Sequence, residues 1–262
     1  MCIILVYVDD LLMSGDDETS IAEMKKVLDD CFTIKDLGHL RYFLGIEVAR
    51  NGKGTMINQR KYALDIVKDA GFDHCTPATF PFPKGVKLST DIGEVLEDPE
   101  VKPHMQAALH VVKYLKGTTD MGLFYSSTAE HQIYGYSDAD WGTCMHTGRS
   151  LTGYCVFLGS SLVSWKTKKQ KVVSKSSCEV ELRSMSQTTS ELAWVTGLLE
   201  DLHLHIPQPI PLFCDNKSAE YIAHNLAFHD RTKHLKLDCY YIRENITRFY
   251  HYISCKKYIA AG

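Results

Sequence analysis

The chain has no C-x-x-C pair, no apolar stretch long enough to span a bilayer, no internal repeat and no marked excess of charge. Each absence removes a class of protein. Nine Cys, an odd number, stand singly at Cys2, Cys31, Cys75, Cys144, Cys155, Cys178, Cys214, Cys239 and Cys255. Scattered through apolar or strand-like surroundings, they read as reduced thiols rather than a disulfide frame or a zinc site. A cytoplasmic or nuclear location is the matching expectation, because no secretory signal or membrane span is legible. The twelve His show no metal-ligand spacing. With 29 basic against 32 acidic residues the net charge is −3, so any surface for a polyanion must be local.

What is present is enough for a buried core: 262 residues, 45% hydrophobic, sufficient for one large or two small domains. Residues 1–75 read as hairpin, helix, strands, helix, with helical periodicity over Ser20–Leu28, a strand over Leu40–Val48 and an amphipathic helix over Lys61–Ala70. Residues 76–122 hold a Pro- and Gly-rich linker, Thr76–Pro103, then a helix over Met105–Lys116. From Leu123 to the end the period changes. Strands over Leu123–Tyr125, Ile133–Asp138, Gly153–Leu158 and Leu162–Trp165 precede a long helix, Ser176–Leu202. A strand over Pro211–Asp215, helices from Ala219 and over Asp238–Asn245, and a strand over Phe249–Ser254 complete it. Strands, helix, strand, helix predicts an α/β domain with a mixed sheet and flanking helices.

Two sets of carboxylates carry chemistry. The first is Asp9 and Asp10, between the apolar runs Ile3–Val6 and Leu11–Met13, a pattern that predicts a hairpin with two acids at its tip. Nucleotidyl transfer needs such a pair to clamp divalent metals. The second set is Asp138, Glu181 and Asp215. Asp138 ends a strand in Tyr136–Trp141, Glu181 lies in the first turns of the long helix, and Asp215 ends a strand before Asn216. Acids at strand ends and near a helix start can converge on one edge of an α/β sheet, and hard divalent cations take oxygen ligands.

Spacing separates Glu179 from Glu181. Ser176 followed by Glu179 makes a capping box, and Glu179 heads a polar stripe with Arg183, Ser186 and Ser190. Glu181 shares the apolar stripe of Met185, Leu192, Val195 and Leu199, through Thr188. A carboxylate there is costly unless compensated, and metals compensate it. Alternation puts Asp138 and Asp140 on one strand face, which leaves those two tied. Lys166, Lys168, Lys169 and Lys171 beside Trp165, and Arg231, Lys233 and His234 further on, are basic clusters. Each alone reads as solvated surface. Beside a carboxylate site they would neutralise phosphates.

Seven segments in order resemble one family: YVDDLLMSG (7–15), FTIKDLGHLRYFLGIEV (32–48), HVVKYLKGT (110–118), YSDADWG (136–142), SLTGYCVFLGSSLVSWKTKKQKVVSKSSCEVEL (150–182), FCDNKSA (213–219) and FHDRTKHLKLDCYYIRE (228–244). Together the chain resembles the C-terminal part of the polyprotein of copia-type LTR retrotransposons. The match takes in the end of the reverse transcriptase, the connection and the ribonuclease H domain. The resemblance implies a ribonuclease H-like fold over 123–262, after a palm and thumb remnant over 1–75 and a connection remnant over 76–122. It breaks the tie toward Asp138 and makes Asp138, Glu181 and Asp215 the acids that bind two Mg²⁺ (or Mn²⁺) and activate a water against the RNA strand of an RNA–DNA hybrid. It makes Asp9 and Asp10 a vestigial polymerase metal site. Lys166, Lys168, Lys169, Arg231, Lys233 and His234 are then candidates for nucleic-acid binding, with no membrane and no small-molecule cofactor.

Departures from the family shape the expectation. The family's first polymerase Asp would lie before Met1, so polymerase activity is not expected from this chain. A Tyr-Arg-rich segment usual between Glu100 and Val101 is absent, and Ala261 falls where the family carries a fourth ribonuclease H acid. Two readings follow: a hybrid ribonuclease of reduced activity, and a decayed element fragment that at most binds nucleic acid.

Overall fold

The computed structural model describes residues 1–82, 103–225, 235–248 and 253–254. The chain divides into two compact units. One takes Met1–Arg50, Met56–Pro83 and Ala107–Gly122, and the other is built on Asn51–Thr55 and on the chain from Leu123 onward.

In the first unit, β1 (Cys2–Tyr7) and β2 (Asp10–Gly15) pair antiparallel, with Tyr7 opposite Asp10. Val8 and Asp9 make the two-residue turn, and Val8 has φ 51°, a left-handed conformation that a β-branched residue adopts only under strain. Next comes α1 (Glu18–Phe32), whose N-cap Asp17 accepts from Thr19 N at 3.0 Å and Ser20 N at 3.1 Å, so it starts two residues before the apolar periodicity does. The expected strand over Leu40–Val48 is corrected. It splits into β3 (Tyr42–Phe43) and β4 (Ile46–Asn51), which pair antiparallel across Leu44 and Gly45, both at positive φ. β5 (Gly54–Asn58), α2 (Arg60–Asp69) and α3 (Pro103–Gly117) follow.

After β6 (Leu123–Ser126), the second unit centres on a five-stranded sheet formed by β7 (Ile133–Asp140), β8 (Leu151–Leu158), β9 (Ser161–Lys169), β10 (Leu212–Phe213) and β11 (Ile253–Ser254). Its order is β9-β8-β7-β10-β11. The first three form an antiparallel meander, while β10 runs parallel to β7 and β11 parallel to β10. Helix α4 (Ser177–Asp201) connects β9 to β10, and α5 (Lys217–His224) and α6 (Lys236–Arg248) follow β10.

Period decides what is buried. Along β7, Ile133 and Ser137 are buried, and a Cβ on Gly135 between them would lie 3.1 Å from Leu192 and 3.2 Å from Thr188, so this face meets α4. Along α4 the stripe Glu181, Met185, Thr188, Leu192 and Val195 is buried. With Val156, Leu182, Ile210, Leu212 and Ile242 it makes the core of this unit. Arg243 ties α6 to the end of α5, donating to the carbonyls of Ala223 (3.3 Å), Ile222 (2.8 Å) and Asn225 (2.6 Å). No helix among the described residues is long and apolar enough to cross a membrane.

Candidate metal centre

Three elements deliver one acid each to the same edge of the five-stranded sheet. Asp138 lies near the C-terminal end of β7. Parallel pairing sets Phe213 of β10 beside Tyr136, so the chain two residues on brings Asp215 to the level of Asp138. Asp215 is not within the strand, as the sequence had it, but in the short link before the N-cap of α5, Asn216. Glu181 comes from the second turn of α4. One ligand oxygen from each of Asp138, Glu181 and Asp215 lies within 4.8 Å of the others.

The helix is fixed by its cap. Ser176 Oγ accepts from Glu179 N at 3.3 Å, while Glu179 reaches back to Lys175 N at 2.8 Å, one residue before the position expected of a capping box. Glu179 is thereby occupied in structure. Ser184, fully buried and one turn after Glu181, joins helix to strand by donating to the carbonyl of Asp138 at 2.8 Å, and it accepts from Ser137 Oγ at 2.9 Å.

Electrostatics at the three acids are unbalanced. Glu181 is 5% exposed, and its Oε2 has no hydrogen-bond partner among the described residues. Burial first, then the charges of Asp215 and Asp138, push its carboxyl up to about 8, against a hydrogen bond from the Ala139 N–H that lowers it. Asp138 is also raised, by burial and then by Asp215 and Asp140, again opposed by the Ala139 N–H. A buried carboxylate facing two others with an unpartnered oxygen is the arrangement a cation would relieve. An all-oxygen donor set suits Mg²⁺ or Mn²⁺, so the residues fit the group.

Other predicted residues fall elsewhere. Asp140 is exposed and outside the triad, though its charge reaches Asp138. Asp9 and Asp10 are exposed at the β1–β2 turn and belong to no three-membered ligand group among the described residues. Lys166, Lys168 and Lys169 are exposed on the edge strand β9, where register aligns Lys168 with Thr152 and Thr152 with Ala139. The basic end of β9 therefore sits two strands from the acids at the same sheet end. Arg231, Lys233, His234 and Ala261 lie outside the described residues. No two of the eight described Cys are joined in a disulfide. Sequence reasoning missed Gln170 and Ser184, polar residues that pattern alone gives no reason to bury.

Strand order and the acid triad define the class: a ribonuclease H-like domain, with a mixed sheet whose first three strands are antiparallel and whose last two run parallel to the central one. The chain belongs to the Pol polyprotein family of copia-type retrotransposons. It is 34% identical to the retrovirus-related Pol polyprotein from transposon RE1 of Arabidopsis thaliana, over 92% of this chain and 19% of that protein. To the Pol polyprotein from transposon TNT 1-94 of Nicotiana tabacum it is 28% identical, over 93% of this chain and 21% of that protein. The chain thus spans about a fifth of the length of these relatives. An uncharacterized mitochondrial protein of Arabidopsis thaliana is 32% identical over 73% of this chain and 93% of its own length. Residues 1–84 match the family model for reverse transcriptase (RNA-dependent DNA polymerase). Among solved structures, RNase H1 from Halobacterium salinarum overlaps with TM-score 0.33 at 15% identity, over 45% of this chain and 79% of that one. The N-terminal RNase H domain of rv2228c from Mycobacterium tuberculosis overlaps with TM-score 0.34 at 12% identity, over 50% and 85%. Overlaps this low carry no weight, and the fold assignment rests on strand order.

Proposed function

We propose that the second unit is a divalent-metal-dependent ribonuclease H, acting on the RNA strand of an RNA–DNA hybrid. The observation that carries the proposal is the triad itself: three carboxylates within 4.8 Å, one buried with an unpartnered oxygen. Asp138, Glu181 and Asp215 would hold the metal. Bound there, two divalent cations supply a water activated for in-line attack and charge relief for the leaving oxygen. The residues themselves do the rest. Glu181 would hold the cation as its deprotonated carboxylate, the Ala139 N–H favours the charged forms of Asp138 and Glu181, and exposed Asp138 and Asp215 leave one side open to a phosphodiester. Lys166, Lys168 and Lys169, level with the acids on β9, would meet the phosphates of the bound duplex.

The test is cleavage of a hybrid with a labelled RNA strand in Mg²⁺ or Mn²⁺. The parent chain should nick the RNA, and Asp215→Asn should reduce cleavage to background. No cleavage by the parent in either metal would overturn the enzyme reading and leave a protein that at most binds nucleic acid.

A further inference from the structure

Gln170 follows the last residue of β9 and is 4% exposed, an unusual place for a primary amide. Both of its amide hydrogens are used. Nε2 donates to Thr152 Oγ1 at 2.9 Å and to the Val180 carbonyl at 3.1 Å, and Oε1 accepts from Ser174 Oγ at 3.4 Å. Its own backbone N–H donates to Ser150 O at 2.8 Å.

The two groups that the amide bridges are next to the acids. Thr152 is the strand partner of Ala139, which follows Asp138 and whose N–H serves the carboxylates of both Asp138 and Glu181. Val180 immediately precedes Glu181. One side chain thus spans from β8, in register with the Asp138 end of β7, to the turn of α4 that carries Glu181. Ser184 makes a second tie, from the far side of Glu181 to the Asp138 carbonyl. The Gln170 network also extends outward: Ser174 O accepts from Trp141 Nε1 at 3.1 Å, which fastens the link between β9 and α4 to the residue after Asp140.

Crowding of Asp138 and Asp215 against a buried Glu181 carboxyl whose Oε2 has no partner among the described residues favours relaxation of the helix away from the strand until a cation binds. We infer that Gln170 is a positioning residue for the metal centre. Its bridge holds α4 against the sheet so that Glu181 stays in ligand range of Asp138 and Asp215 before a cation arrives. The inference rests on the metal-site reading of Asp138, Glu181 and Asp215 and goes beyond it. Outer groups that orient metal ligands typically change metal affinity by about 10–100-fold when removed.

Gln170→Met keeps length and removes every side-chain hydrogen bond. Mn²⁺ is titrated calorimetrically into the full chain without nucleic acid, alongside thermal melting. Val156→Ala, a buried change on β8 away from the acids, serves as a control of similar destabilisation. Gln170→Met should bind Mn²⁺ about tenfold more weakly than the parent, and Val156→Ala should bind it as the parent does. In hybrid cleavage, Gln170→Met should need more metal while the KM for the hybrid stays unchanged. Parent-like Mn²⁺ binding in Gln170→Met, with only a lowered melting temperature, would overturn the inference and leave the metal site standing. Absence of Mn²⁺ binding in the parent would sink the site and the inference together. Should Gln170→Met fail to fold, Thr152→Val removes one end of the bridge. Mn²⁺ binding weakened about threefold, the worth of one ordinary hydrogen bond, supports the inference, and parent-like binding overturns it.

Discussion

Glu181 shows how one residue couples stability to chemistry. Its carboxyl is held up at about 8, against an ordinary value of 4.5, by burial and by two acidic neighbours. A raised carboxyl means that the folded chain holds a proton which the unfolded chain has released. Stability contributed by that proton is complete below about pH 4.5, declines as pH rises toward 8, and is gone above it. For Glu181→Gln the group no longer titrates. The metal-free variant should therefore outlast the parent in urea at pH 8, by a margin on the order of 3 kcal/mol, and the margin should shrink toward pH 5. Added Mn²⁺ should reverse the order, because binding to the folded parent alone stabilises it by mass action. Equal urea midpoints at pH 5 and pH 8 would contradict the burial argument. Much at this scale was legible. The apolar stripe through Met185 and Leu192 singled out Glu181, and the capping box removed Glu179. The tie between Asp138 and Asp140 was not legible, because a two-residue period gives both one face. The family resemblance favoured Asp138, and in the structure the register with β10 and the position of α4 bring Asp138 rather than Asp140 into the group with Glu181 and Asp215.

Elements carry the geometry that single residues exploit. Helix α4 lies close on β7 because Gly135 offers no side chain, and a Cβ there would sit 3.1–3.3 Å from the two methyls of Leu192 and 3.2 Å from the Thr188 methyl. Gly135→Ala should lower stability by about 1–3 kcal/mol through overpacking. Since Glu181 rides on the same helix, the variant should also lose Mn²⁺ affinity beyond what its melting temperature accounts for. A melting temperature equal to the parent's would show that the helix adjusts without strain. Elements were mostly readable where period and punctuation agree, as in α2, α4 and the β7–β9 meander. They were misread where one residue overrides its neighbours. Gly45 turns LRYFLGIEV into a hairpin although Tyr42, Phe43, Ile46 and Val48 around it favour strand. The clamp of Arg243 on the last carbonyls of α5 was invisible, because those partners lie some twenty residues away and share no pattern with it.

At the scale of the whole molecule the two units differ in how they cover apolar surface. The second buries a contiguous core from sheet and helices. The first opens on a two-stranded ribbon in which Leu5, Val6, Tyr7 and Val8 are 51%, 64%, 54% and 81% exposed. The apolar runs and the two Asp between them were legible in the sequence. The exposure was also foreshadowed, since apolar runs on both sides of Asp9 and Asp10 leave a lone hairpin no polar face to turn outward. Apolar strand ends this exposed template association with another copy. The chain should therefore self-associate with rising concentration, and Val6→Lys, which places a charge on β1 opposite Leu11, should shift the sedimentation profile toward monomer. Hybrid cleavage per chain should be the same in this variant, because Asp138, Glu181 and Asp215 all belong to the other unit. Asp9→Asn with Asp10→Asn should likewise leave cleavage unchanged. A fall in hybrid cleavage on altering the hairpin acids would show that the two carboxylate sets act together, and would return the Asp9–Asp10 turn to the centre of the chemistry.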